Sequence, residues 1–502
     1  MMQKLFGIAI EKHPLRYALF KIAFAGIIPF CLTFFLYEWI LFVCLFCYLL
    51  AVLLLTLLSL SFTKKSLWQW CSGSQVQWQS DFKKSKTLIL ISLLAVFSLI
   101  FLQLFRQSPR WRLREIVKGK NIASPISLPE KAYYVKNMEQ YKQDPVDYVM
   151  QLFDKYDIVV ICERWHTEYT QWEFFSKVIL NDTFARKVEH VFTEFGQAQH
   201  QEVLDNYMQT RFSTEEDLQR ATAQIVRENG GMWPLWSNTN IYDFILNLHQ
   251  FNETRDSVDR INHFFTDMPT DWNVINTPAQ WNYLSNYSDR DSIMASNVLN
   301  RYENLNPKKC LLITNTRHAW NYGENEIAYI SKKCPDKMAV VLINGTTQFM
   351  SPMMNGTLDE AALEITDSIW AIDFQESPLG NVSFDLMPIK RDKCVYKDLF
   401  AGMVYCQHPS NWGKSDNYPF MLDNYKDTLL KRSAMVGEDY LKMTTDAIEK
   451  GYCDQVEKMF GSPFLWLYNL AFLGLHSIIL IYLLINLLVL LCKKQKKTEL
   501  TQ

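Results

Sequence analysis

Residues 157–196 read DIVVICERWHTEYTQWEFFSKVILNDTFARKVEHVFTEFG. The β-branched, apolar run 158–161 has the composition of a buried strand and is too short for a helix. Polar groups follow at once: Glu163, His166, Thr167 and Glu168. From about Thr167 the spacing of Trp172, Phe175, Ile179 and Leu180 predicts a helix with one apolar face. A second short apolar strand, over 188–195, carries Glu194 near its end. Two strands joined by a crossover helix, each with a terminal carboxylate, put polar groups on the edge where open α/β sheets bind ligands. Each group also has a plainer reading. Glu163 can be a loop carboxylate or a helix N-terminal charge, His166 a surface histidine in the first helical turn, and Glu194 a capped strand end.

The same alternation runs on through the polar part of the chain. A helix is expected over 144–156, ahead of the first strand, and others over 197–208, 214–228, 241–251 and 289–303. Ser213 with Glu216 has the spacing of a capping box. The Trp-rich segment 232–236, with Trp233, either lines a pocket wall or packs as a lid on the core. Further strands are expected at 261–265, running into Thr266 and Asp267; at 310–314, running into Asn315, Thr316, Arg317 and His318; and at 338–343. Beyond 346, strands are expected near 368–374 and 395–404, then a helix over 418–450. Strand, polar group and helix recurring in this order predict an α/β fold with a mainly parallel sheet flanked by helices.

The apolar excess sits in blocks. Residues 17–62 form one, broken at Tyr37-Glu38-Trp39 as an interface favours; 87–105 and 464–492 form two more. Four transmembrane helices follow, three before the α/β domain and one after it. Lys4, Lys12 and Arg16, the loop lysines 64, 65, 83, 84 and 86, and the tail lysines 493, 494, 496 and 497 then share one side. The positive-inside rule makes that side cytoplasmic. Arg106, Arg110, Arg112 and Arg114 oppose this as the one basic cluster on the other side. The expected organisation is a membrane domain over 1–105, a connector and lead-in helix over 106–156, an extracytoplasmic α/β domain over 157–461, and a last span with a basic tail over 462–502. The lipid bilayer is thus an expected partner. A net charge of −2 implies no broad electrostatic partner, and nucleic acid is not expected. An oxidising outer compartment would allow Cys310–Cys334 and Cys394–Cys406 as local disulfides.

A parallel sheet would collect Glu163, His166, Glu194, Asp267 and His318 at its carboxyl edge. A histidine can take a proton from water, a carboxylate can orient it, and Arg290 or Arg317 can stabilise a developing oxyanion. The same groups suit a divalent metal. There is no Gly-rich phosphate loop and no GxSxG elbow, which argues against a serine nucleophile.

Cys162-Glu163-Arg164-Trp165-His166 followed by Trp172-Glu173-Phe174-Phe175 resembles the G-E-x-x-H…E-F-F segment of the erythromycin esterase-like family. Residues 290–297, RDSIMASN, resemble its R-D-x-x-M-A-x-N helix, and Asn315-Thr316-Arg317-His318-Ala319 its N-x-H-A segment with one residue extra. Phe264-Phe265-Thr266-Asp267 is similar to its G-x-D strand end, and Glu194 stands where the family carries another glutamate. The family belongs to a wider superfamily with ChaN-like and Tiki-like proteins. The resemblance implies water activation without a covalent intermediate: His166 as general base, supported by Glu163 and Glu194, with His318 and Arg290 on the substrate carbonyl. Asp267, Arg317 and Trp233 are the expected substrate-binding residues. Cys162 replaces the usual glycine, and the arginine commonly found just before E-F-F is missing. The expected function is a membrane-anchored hydrolase of an ester-like bond in a small-molecule or peptide substrate. The alternatives are a metal-dependent Tiki-like peptidase and a non-catalytic module binding haem or another ligand. No metal ligand is assigned, and the cofactor stays open between none and a divalent metal.

Overall fold

All six residues of strand β1 (Ile158–Glu163) are buried, because the strand has a core on each side. Val159 and Ile161 enter one apolar cluster, with Trp172, Phe175, Phe244 and Leu248. Ile158, Val160 and Cys162 enter the other, with Val298, Ile327 and Leu358. A period of two delivers alternate residues to opposite faces, so a strand covered on both must be apolar throughout.

In this computed structural model the described residues are 128–453, apart from 232, 236–238, 257–258, 288, 320–322, 346–352, 387–393 and 414, together with two short paired strands, Ile8–Ile10 and Val76–Trp78. The chain divides into two compact units, Met1–Ser108 with Pro463–Gln502, and Pro109–Ser462. The four expected spans lie outside the described residues, among which no helix is long and apolar enough to cross a membrane.

The second unit is an α/β domain. After β1 come β2 (His190–Gln197), β3 (Asn262–Asp267), β4 (Cys310–Asn315), β5 (Met338–Ile343), β6 (Ile369–Asp373) and β7 (Gly402–Cys406). They form one seven-stranded sheet in the order β3-β2-β4-β1-β5-β7-β6. Every pairing is parallel except β6 with β7, at the edge. The expected β1–β2 unit exists, but β4 lies between its two strands. Helices cover both faces. In chain order they are α1 (Leu128–Tyr141), α2 (Pro145–Lys155), α3 (Tyr169–Ile179), α4 (Asp182–Lys187), α5 (Gln201–Gln209), α6 (Glu215–Asn229), α7 (Thr239–Glu253), α8 (Pro278–Tyr287), α9 (Arg290–Tyr302), α10 (Glu326–Lys333), α11 (Thr357–Ala362), α12 (Lys426–Val436) and α13 (Glu438–Lys450).

Several local expectations need correction. Helix α6 is capped by Thr214, whose Oγ1 accepts from Asp217 N at 3.1 Å, and not by Ser213. The expected helix over 418–450 begins only at Lys426, after turns over 419–425, and breaks at Gly437, with φ +145°, into α12 and α13. Residues 395–404 form a short turn of helix, Tyr396–Asp398, before β7 begins at Gly402. Cys310, Cys334 and Cys406 are buried free thiols and Cys394 is a half-buried one, so neither of the local pairs that an oxidising compartment would allow is formed here.

Strand β2 is bulged against β3. Thr193 pairs with Phe265, but the next pair is Gln197 with Asp267. The extra residues hold Glu194 out of the ladder, and a bulge of this kind re-aims a side chain. Gly196 makes the bulge possible: its φ is +96°, and an added Cβ would lie 2.2 Å from the Phe265 ring. Gly196→Ala is therefore expected to cost about 1–3 kcal/mol from overpacking alone, with left-handed strain in addition. A thermal midpoint equal to wild type would sink this account.

Candidate functional site

The carboxyl ends of β3, β2, β4 and β1 are neighbours, and the polar residues at these ends meet there. Glu163 is the last residue of β1. Its Oε2 lies 2.5 Å from His166 Nδ1, and its Oε1 accepts from Trp172 Nε1 at 2.9 Å. The three-residue hop from Glu163 to His166 is held by Arg164, whose side chain is wholly buried. Its guanidinium donates to Glu168 Oε2, to Asn344 Oδ1 at 2.8 Å and to Cys406 O at 2.8 Å, and the Trp412 ring covers it. Glu168 also caps α3, accepting from Thr170 N and Gln171 N. The loop that carries His166 is thus tied to the ends of β5 and β7 and to the start of α3. Asn240 Nδ2, from α7, donates to the His166 carbonyl at 2.5 Å.

Glu194 lies at the bulge of β2. Its Oε2 accepts from Asn315 N at 2.7 Å and its Oε1 from Arg290 Nη2 at 2.9 Å. Its side chain thus accepts from the backbone at the end of β4 while also standing among the charged groups. Arg290 opens α9 and bridges three residues: Nε donates to Asp267 Oδ1 at 2.7 Å, Nη2 to Glu194, and Nη1 to His318 Nε2 at 3.2 Å. Because guanidinium can only donate, His318 Nε2 accepts, and its Nδ1–H donates to Asp291 Oδ1 at 2.6 Å. Asn297 on the same helix donates to Thr266 O at 2.9 Å and fixes α9 against β3.

Of the expected catalytic side chains His166 is the most exposed, at 24 %; Glu163 and Glu194 are at 4 % and 3 %, and His318 at 2 %. Burial pulls the His166 pKa down, but the carboxylates of Glu163 and Glu194 outweigh it and carry it above the ordinary histidine value. Burial would raise Glu194, yet His318, Arg290, His166 and the Asn315 N–H hold it well below the usual carboxylate range. Asp267 goes the other way: burial raises it, and Arg290 only partly offsets this.

Glu163, His166, Glu194, His318, Arg290 and Asp267 thus lie in one connected cluster. Asp267 is wholly buried and touches Arg290. Arg317 is exposed on the turn after β4. Trp233 lies against Trp281 and Tyr440, at ring separations of 5.0 Å and 5.8 Å. Asp291, Asn315, Thr314, Trp172, Arg164 and Glu326 also belong to this network, beyond the expected site residues. Asp291 and Asn315 stand inside quoted motifs, so a signal existed; Glu326 carries none. One carboxylate oxygen each of Glu163 and Glu194 and one ring nitrogen of His166 lie within 4.8 Å of one another, a spacing that can hold a metal ion.

No family model matches the chain, and no curated protein matches its sequence. Among solved structures, a Bacillus cereus protein aligns at 8 % identity and TM-score 0.35, covering 55 % of this chain and 97 % of its own. A succinoglycan biosynthesis protein aligns at 7 % identity and TM-score 0.37, covering 56 % and 98 %. Both likenesses are distant, and they assign the chain to no family.

Proposed function

We propose that this chain is a membrane-anchored hydrolase in which His166 takes a proton from water as the water attacks an ester-like carbonyl. The observation that carries this is the 2.5 Å contact between Glu163 Oε2 and His166 Nδ1. With Nδ1 engaged, Nε2 is the position at which the ring accepts the proton, and the carboxylate stabilises the imidazolium that forms. Arg290 keeps a positive charge beside His318, where an oxyanion would develop. The ordered segments that resemble motifs of the erythromycin esterase-like family support the same assignment. The four apolar segments and their flanking lysines support anchorage in a bilayer with the α/β domain outside.

One observation favours a second reading, a metal-dependent hydrolase of the Tiki-like kind: the close ligand atoms of Glu163, His166 and Glu194. Here the metal would supply a water of lowered pKa. The test is hydrolysis of a panel of esters, lactones and peptides by the full-length protein in detergent, with and without a chelator. Turnover indifferent to the chelator is the expected result. Turnover abolished by the chelator and restored by zinc or manganese would move the assignment to the metal. A folded protein without turnover would leave a binding module, and added haem would then be followed by its Soret band.

A further inference from the structure

Glu326, on α10, lies under the site and its side chain is wholly buried. Its Oε2 is 2.8 Å from Thr314 Oγ1, and its Oε1 has no hydrogen-bond partner among the described residues. No lysine, arginine or histidine among them pairs with it within 4 Å. The same Thr314 hydroxyl lies 3.4 Å from Glu194 Oε2. A hydroxyl has one hydrogen and cannot donate to two carboxylates along two separate bonds. The conflict disappears if one carboxyl carries a proton, and Glu194 is the one held by Arg290.

We propose that Glu326 is a neutral carboxylic acid whose O–H donates to Thr314, while the Thr314 O–H donates to Glu194, so that Glu326 positions the Glu194 carboxylate through one intervening hydroxyl. Three facing groups from two elements bear on this. Glu194 on β2 and Asp291 on α9 repel a charge at Glu326, and Arg290 on α9 attracts it only weakly. Burial is the largest influence and acts with the two carboxylates, so the Glu326 pKa stands well above the ordinary glutamate value. A buried carboxylate with one oxygen unpaired costs far more than a neutral acid with the same oxygen unpaired. The arrangement also keeps a further negative charge out of a cluster that already holds Glu163, Glu194, Asp267 and Asp291. As a positioning role, it rests on the hydrolase reading above; the protonation itself does not.

The test therefore has a readout independent of turnover. Infrared spectra of the full-length protein in detergent at neutral pH, without substrate, report the carbonyl stretch of protonated carboxyls, which is separate from that of carboxylates. Asp267 and Asp359 are also raised, so the wild-type minus E326Q difference isolates Glu326. A protonated-carboxyl band lost in E326Q and shifted in T314V is the expected result. No band in that difference overturns the proposal. In turnover, E326Q keeps a donor to Thr314 and stays close to wild type, whereas E326L loses about tenfold, the worth of one hydrogen bond. E326L turning over as fast as E326Q would overturn the positioning role. If the band is lost in E326Q but the wild type hydrolyses nothing, the protonation stands and only the hydrolase reading fails.

Discussion

If the proposed hydrolase reading holds, the full-length His166→Ala protein is expected to fold and to lose about 10²–10⁴-fold in turnover, the range a positioned general base contributes. Nothing in the core depends on the ring, which is the most exposed of the cluster's catalytic candidates. A variant as active as wild type would remove His166 as the base. The pH dependence sharpens the point. A base must be neutral to act, so kcat/KM should rise with pH through the His166 pKa of the free enzyme. That pKa stands above the ordinary 6.5, because Glu163 and Glu194 outweigh burial. The sign for stability follows from the same shift. A folded pKa raised above the unfolded value gives stabilisation that is fully present below about pH 6.5 and is lost as pH rises through the folded pKa. Protein stability and base activity at this residue therefore run in opposite directions with pH. Glu163→Gln removes the largest raising charge and leaves the burial. Its acid limb should move to lower pH, with a lower plateau because the amide no longer stabilises the imidazolium. An acid limb at the wild-type position in Glu163→Gln would detach Glu163 from His166.

How far the sequence foretold this arrangement depends on what each residue answers to. Strand β1 was legible because burial on both faces leaves a mark in composition, a run of Ile and Val with no alternation. The convergence of Glu163, Glu194, Asp267 and His318 was legible through topology, since parallel strands deliver their carboxyl ends to one edge. The antiparallel edge strand β6 was not, because a short apolar run carries no direction. Nor was the cap of α6: Ser213 and Thr214 are both capping residues, and only the extended backbone of Thr214, φ −135° and ψ 158°, decides between them. Trp233 answers to Trp281 and Tyr440, partners far along the chain that no local pattern announces. Arg290 was legible as a cation near the site, but its three-way bridge was not, since that depends on the bulge that turns Glu194 out of β2. Glu326 was least visible of all. An exposed glutamate in the first turn of a helix is ordinary, and only the fold shows that this one is buried.

Removing Arg290 is expected to have the largest effect on folding. Arg290→Ala leaves Glu194 and Asp267, whose side chains are 3 % and 0 % exposed, without their shared counter-ion. Breaking a buried ion pair on one side costs about 3–5 kcal/mol, because the remaining charge keeps its desolvation penalty and loses its partner. The loss should depend on pH. In the wild type Glu194 is held below the ordinary carboxylate value, so its contribution is present above that value and fades as pH falls through the folded pKa. In Arg290→Ala that depression is weakened and Asp267, already raised by burial, rises further. Both carboxyls can then take protons and stop being buried charges. The variant's deficit in thermal midpoint should therefore be greatest at neutral pH and shrink in mild acid. A deficit of constant size across that range would mean that lost packing, and not unpaired charge, is responsible. Arg290→Lys separates the two further. It restores the charge but not the planar fork that reaches Asp267, Glu194 and His318 at once. It should recover part of the stability while leaving His318 without the donor that fixes its tautomer, so that turnover recovers less than folding does.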